Sequence, residues 1–233
     1  MFPMYYGGYG YDSTMIILIP AILLTVYAQY KVNSATKKYM RVRAHSGYTG
    51  EQAAMRILMA NGLGDVKVEP IRGHLTDHYD PRTKVLRLSE DVYGRSSITS
   101  VAVAAHECGH AIQHAHGYAP LAMRSSLVPV VNFASNISWF LIIAGLMMSG
   151  SLLNIGIILF SVTVLFQIIT LPVEFNASHR ALIQLEELGI VDRDERRQSR
   201  SVLSAAAFTY VAAALVGILQ LLRLILLQGR RRD

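Results

Sequence analysis

Residues 106–110 read His106-Glu107-Cys108-Gly109-His110, two imidazoles four positions apart with a carboxylate beside the first. On a helix, residues four apart share a face, so both rings point at one cation while Glu107 stands next to the open coordination position. Zn²⁺ suits such a set. It accepts imidazole nitrogen, is redox-inert, and acts as a Lewis acid where three protein ligands leave room for a water. The chemistry implied is metal-assisted hydrolysis with Glu107 as the base. Eight His and eight Glu in 233 residues would give this pattern by chance about 0.01 times. A polar edge on an amphipathic helix is the plainer alternative. The run 101–105 just before it is wholly apolar, however, and burying two His and a Glu without a partner costs more than burying them around an ion.

One such ion needs a third protein ligand, and three residues compete. His116 lies ten residues after His106, where the longer H-E-x-x-H-x-x-G-x-x-H pattern ends, but Gln113 stands where that pattern uses Gly to turn the chain. His114 shares the helical face, yet eight residues of helix separate it from His106 by about 12 Å. Glu174 follows Pro172-Val173 and reads as the start of a new helix after a proline-marked span end. The His₂Glu precedent for hydrolytic zinc favours Glu174.

The elements that must bring these residues together are mostly apolar. The chain is 52% hydrophobic and only 16% charged, which excludes an ordinary aqueous globule. Forty-nine consecutive residues between Arg124 and Glu174 carry no formal charge, and 13–30 and 201–222 are similar. Since about twenty apolar residues span a bilayer core, the long run predicts two spans joined at Ser149-Gly150-Ser151, with one span in each of the others. One cysteine excludes a disulfide framework and a four-cysteine zinc site. The net charge of +6 sits beside the apolar runs, so the lipid bilayer, and not nucleic acid, is the expected counter-charge. No Lys or Arg precedes the first span, and Lys31, Lys37, Lys38, Arg41 and Arg43 follow it. It reads as a retained anchor with the Tyr- and Gly-rich start, 1–11, outside and the following segment in the cytoplasm. Arg180, Arg193, Arg196, Arg197 and Arg200 agree with that orientation. A fourth full span would put Arg230, Arg231 and Arg232 outside, so the last apolar segment either crosses against the rule or lies in the interface.

The segment between the first two spans has soluble character. Residues 48–61 predict an amphipathic helix capped by Thr49 and stopped by Asn61-Gly62. Residues 65–71 and 83–89 alternate as short strands around a turn at 77–82, and a helix follows from Ser96 or Ser97 to about His114. The expected architecture is a mainly α integral membrane protein of about four transmembrane helices with a small zincin-like α+β cytoplasmic portion. Its divisions are 1–30 (tail and anchor), 31–124 (cytoplasmic portion), 125–173 (transmembrane hairpin), 174–200 (third-ligand helix) and 201–233 (apolar helix and basic tail).

Ala104-Ala105-His106-Glu107-Cys108-Gly109-His110-Ala111-Ile112-Gln113, with Asp77-His78-Tyr79-Asp80-Pro81 and Glu174-Phe175-Asn176-Ala177-Ser178, resembles the YugP-type membrane zinc metallopeptidases over nearly the whole chain. More distantly it is similar to membrane-embedded gluzincins of the HtpX type, whose third ligand is the Glu of an E-x-x-A-D segment. Glu174 and Ala177 match that segment, and Ser178 replaces its Asp. The resemblance implies one catalytic Zn²⁺ on His106, His110 and Glu174, with Glu107 as general base. Ser178, Asn176 or a backbone carbonyl would have to orient the imidazole. It further implies an edge strand, Val85, Leu86, Arg87 and Leu88, pairing with an extended peptide or membrane-protein substrate. His179 and Arg180 would be oxyanion donors. The expected location is a bacterial cell membrane with the site on its cytoplasmic side. Two other readings compete. One is a site-2-type protease cutting inside the bilayer, which lacks a visible Asp-bearing partner helix. The other is a metal-stabilised scaffold or small transporter, against which the uncharged spans argue.

Overall fold

The computed structural model describes residues 13–229. A 3₁₀ turn (Ser13–Ile17) leads into α1 (Leu18–Tyr39), followed by α2 (Gly50–Ala60), β1 (Lys67–Ile71), β2 (His78–Asp80), β3 (Val85–Ser89), the one-turn α3 (Glu90–Tyr93), α4 (Ile98–Ala115), α5 (Ala119–Met147), α6 (Gly150–Glu187) and α7 (Arg193–Gly229). The fold is mainly α, with four helices long and apolar enough to cross a membrane: α1 with its leading turn, α5, α6 and α7. The start, 1–11, and Arg230, Arg231 and Arg232 lie outside the described residues.

The long helices run antiparallel. Ser149 caps α6, accepting from the Leu152 N–H, so the expected Ser149-Gly150-Ser151 turn forms. Gly145 lets α5 meet α6 there, since a Cβ on it would stand 2.3 Å from the Leu153 nitrogen. α7 descends along α6, and α1 packs on α7, with Tyr27 edge-on to Phe208 at 5.9 Å and Arg223 Nε donating to Thr14 Oγ1 at 3.3 Å. The whole C-terminal apolar segment is therefore helical and packed, long enough to span. Arg124 and Glu174 are each about twenty-five residues from the α5–α6 turn, or roughly 37 Å along the helices. That exceeds the roughly 30 Å hydrocarbon thickness and puts both at the end where the soluble head begins.

In the head, α4 is the central element, enclosed by α2, the sheet and the membrane-distal half of α6. Its face Ile98, Val101, Ala102, Ala104, Ala105 and Cys108 is wholly buried, consistent with the small-residue run preceding the histidines. Ser97 caps it through the Ser100 N–H, and Thr49 with Gln52 forms a reciprocal capping box on α2.

Three expectations are corrected. Residues 65–71 and 83–89 do not form a hairpin: β1 and β3 pair in parallel, and the expected turn supplies β2, antiparallel to β3, in sheet order β1-β3-β2. β3 is thus the central strand. With neighbours on both sides and Leu86 and Leu88 fully buried, Val85, Leu86, Arg87 and Leu88 have no free edge for a substrate. Next, Glu174 does not begin a helix. α6 runs unbroken through Pro172, whose ring is exposed while Val173 and Glu174 are buried, so packing carries the helix across the missing N–H. Finally, the third-ligand helix and the last span divide at 188–192, not at 200. Gly189, at φ +63, reverses the chain, and Ile190 and Val191 anchor the turn in the core.

Candidate metal centre

α4 presents His106 and His110 on one face, as their spacing requires, with ring centroids 4.8 Å apart and planes at 82°. What the spacing does not provide is the third side chain, which comes from α6. Gly109 permits the approach: a Cβ there would lie 2.5 Å from the Ala177 carbonyl oxygen, so the helices cross almost backbone to backbone. Glu174, on the turn before Ala177 and 2% exposed, thereby reaches both rings. Its Oε2 is 3.3 Å from His106 Nε2 and 3.7 Å from His110 Nε2.

Each ligand candidate is fixed from behind. Ser178 Oγ lies 3.1 Å from His106 Nδ1, and Gln113 Oε1 lies 3.0 Å from His110 Nδ1. Gln113, wholly buried, turns its amide nitrogen to the Val173 carbonyl at 2.8 Å and to Asn176 Oδ1 at 3.0 Å, while Arg180 Nε donates to that Oδ1 at 2.8 Å. Both imidazoles therefore hold their Nε2 atoms toward Glu174. Arg124, from the start of α5, donates to Glu174 Oε1 at 3.1 Å. One carboxylate oxygen is thus occupied and the other turned inward.

These donors fit a zinc ion. Glu174 Oε2 is buried without a hydrogen-bond partner, and the ligand atoms of His106, His110 and Glu174 all lie within 4.8 Å of one another. Tetrahedral zinc with bonds of about 2.0–2.1 Å separates its ligands by roughly 3.3 Å, close to the observed His–Glu spacings. Two imidazole nitrogens and one carboxylate oxygen, converging on one point, are also the donor set that hydrolytic zinc uses.

A cavity of about 550 Å³ opens on the cluster. Glu107, 8% exposed, lines it beside the histidines. Opposite, the 77–82 segment forms a wall that includes β2, and Arg124, Val128 and Tyr210 close the membrane side. Asp77 accepts from the Ser89 N–H at 2.7 Å and from its hydroxyl at 3.1 Å. Burial pushes its carboxyl above the usual carboxylate range, with Glu107 adding to the shift and the Ser89 N–H opposing it.

The remaining sequence candidates fall elsewhere. His114 is exposed and meets the Tyr79 hydroxyl at 3.0 Å, and His116 is the exposed C-cap of α4. His179 is exposed, and neither it nor Arg180 lines the cavity. Asn176 stands one step behind the histidines, through Gln113. Gln113, Arg124 and Tyr210 were missed. Gln113 was visible as a departure from the longer motif and Arg124 as the last charge before the uncharged run, whereas Tyr210 left no sequence signal.

Residues 14–229 match the profile of the family described as "Putative neutral zinc metallopeptidase". The chain is 50% identical over 220 residues to "Putative membrane protease YugP" of Bacillus subtilis (strain 168), covering 94% of this chain and 98% of that one. No solved structure matches it. With a full-length relative at this identity and a profile that spans nearly the whole described chain, this protein belongs to the family described as "Putative neutral zinc metallopeptidase".

Proposed function

We propose that the protein is a membrane-bound endopeptidase of the HExxH gluzincin type that hydrolyses peptide bonds at one zinc ion held by His106, His110 and Glu174. The observation that carries this reading is the buried, unpartnered Oε2 of Glu174 facing two imidazole Nε2 atoms. Zinc, when bound, supplies a Lewis acid that acidifies an adjacent water and polarises the scissile carbonyl. Glu107 takes the proton as water oxygen adds to the carbonyl carbon, then delivers it to the amine nitrogen as the C–N bond breaks. Ser178 and Gln113 hold the imidazoles in the tautomer that leaves Nε2 free, and Arg124 occupies Glu174 Oε1, so that Oε2 is the oxygen that would bind the ion. Tyr210, the phenol lining this cavity, replaces His179 and Arg180 as the donor available to the developing oxyanion. The outer edge of β2, carried on the cavity wall, takes the substrate-pairing role expected of β3.

The cytoplasmic side is part of the proposal. Lys37, Lys38, Arg41, Arg43, Arg180, Arg193, Arg196 and Arg197 all lie at the end of the helices that bears the site, as the positive-inside rule requires for a cytoplasmic face.

The test uses the purified full-length protein. Glu107→Gln should keep about one zinc per chain and lose cleavage of an unfolded polypeptide, whereas Glu174→Ala should lose the metal. Wild-type cleavage by Glu107→Gln would refute the general-base role, and stoichiometric zinc in Glu174→Ala would refute the ligand set.

A further inference from the structure

α6 packs against both α5 and α7, while α5 and α7 scarcely touch each other. Among the described residues they come together near the α5–α6 turn, where Ile142, Leu153, Ile157 and Leu224 form a small core. Toward the head they diverge and leave a wedge floored by α6. Glu174, Gln167 and Phe160 are spaced seven apart and so form one stripe along that floor. Two cavities occupy the wedge at different heights. The lower is the one at the metal centre, with Arg124 and Val128 of α5 facing Tyr210 of α7. The upper, about 390 Å³, has Trp139 of α5 facing Val216, Gly217, Gln220 and Arg223 of α7, with Gln167 and Phe160 beneath and the 3₁₀ turn and first turns of α1, buried Ala21 among them, as a further wall. Trp139 and Ile22 stand at the lips, 52% and 59% exposed, so the upper cavity opens sideways toward lipid.

Gln167 lies about 10 Å from Glu174 along α6, inside the hydrocarbon thickness. An amide at this depth is costly unless bonded, yet its Oε1 is buried against Gly217 with no hydrogen-bond partner. Rotation about its terminal torsion presents either end of the amide to the cavity. An acyl chain offers such a group nothing. A polypeptide entering from the bilayer and losing its helical bonds offers an N–H and a C=O at every residue.

Resting on the metallopeptidase reading, we propose that this wedge is a lateral entry groove. It admits the end of another protein's membrane-spanning segment from the bilayer, with Trp139 and Phe160 packing its side chains and Gln167 and Gln220 its unwinding backbone, and leads it to His106–Glu174. The substrate class is a membrane protein cleaved close to the cytoplasmic end of a span.

Photocrosslinking tests the groove without requiring turnover. Benzoylphenylalanine is placed at Val128 or Trp139, and, as controls, at Phe133 or Ile158. Phe133 is nine residues from Arg124 and Ile158 nine from Gln167, hence on opposite helix faces, and both are exposed to lipid. Each Glu107→Gln full-length protein is reconstituted in phosphatidylglycerol–phosphatidylcholine vesicles with a synthetic peptide carrying an apolar span of about 20 residues and a flexible tail. Val128 and Trp139 should capture the peptide roughly ten-fold more than the controls. Equal capture at all four positions, or capture of phospholipid alone at Val128 and Trp139, overturns the groove. In active protein, Val216→Trp should lower the ratio of anchored-peptide to soluble-peptide cleavage by about ten-fold with zinc content retained, and an unchanged ratio overturns it. If wild type cleaves neither peptide, the peptidase reading fails while the crosslinks still decide the groove.

Discussion

Gly109→Ala is the most demanding perturbation of the site, because it adds a methyl group to α4 and touches no ligand. Alanine is the better helix former by about 1 kcal/mol, so on local grounds the substitution stabilises. The tertiary contact acts against it. The new Cβ would lie 2.5 Å from the Ala177 carbonyl oxygen, about 0.9 Å inside the 3.4 Å at which ordinary contact begins. Because the obstacle is backbone, no side-chain rotation relieves it and α6 must move away. Overpacking of this kind costs about 1–3 kcal/mol, which exceeds the propensity gain. The same displacement withdraws Glu174 from both imidazoles and strains the Gln113 bridge to Val173. Zinc affinity should fall about 10–100-fold, as when outer-shell partners of a metal are lost, and kcat/KM by about 10²-fold, the usual consequence of an ångström of misplacement. Chelator competition, peptide cleavage and thermal melting measure the three quantities. A variant with wild-type zinc affinity and a raised Tm would refute the reasoning, since the helices would then have room that the structure denies them.

Three further outcomes follow from the same geometry. Arg124→Ala frees Glu174 Oε1 and should weaken zinc about 10–100-fold, with Arg124→Lys recovering part of it. Chelator competition that fails to separate Arg124→Ala from wild type would remove Arg124 from the centre. Gln113→Leu should be more damaging than Ser178→Ala: Gln113 is buried and links His110, the Val173 carbonyl and Asn176, so its loss strands several polar groups at about 1–3 kcal/mol each, whereas Ser178 makes the single contact to His106. Comparing the two melting temperatures decides it. Cys108 is fully buried, and burial together with nearby Glu107 pushes its thiol well above the ordinary range. Maleimide should therefore label the native protein very slowly and the denatured protein rapidly, and prompt native labelling would show that α4 is not packed as described.

How far the sequence determined this protein differs between its parts. The spans were legible because a bilayer requires about twenty apolar residues for each crossing, and the runs ending at Tyr30, Val173 and Leu222 meet that demand through composition alone. The helices of the head were legible at their caps, since Thr49 and Ser97 satisfy local N–H groups whatever the rest of the chain does. His106, Glu107 and His110 share a face through helical periodicity, so that half of the site is a local property.

Everything that depends on how elements pair was decided by tertiary structure. The alternation in 65–71 and 83–89 fixes which side chains are buried but carries no sign of strand direction. The long 72–84 connection allows a parallel pair, and a piece of that connection becomes the exposed edge. Pro172 reads locally as a helix end, yet packing of Val173, Glu174 and Ala177 against α4 outweighs the one missing hydrogen bond. Helical rise sets His114 aside, the missing Gly of the longer motif counts against His116, and the sequence so favours Glu174, but it cannot show how a residue sixty-four positions beyond His110 reaches the two rings. That approach comes from a close crossing of two helices, made possible at Gly109 and directed by a hairpin that returns the chain to the same height. Arg124 and Tyr210 join the cavity for the same reason: residues eighty-six apart in sequence become neighbours only when three long helices stand side by side.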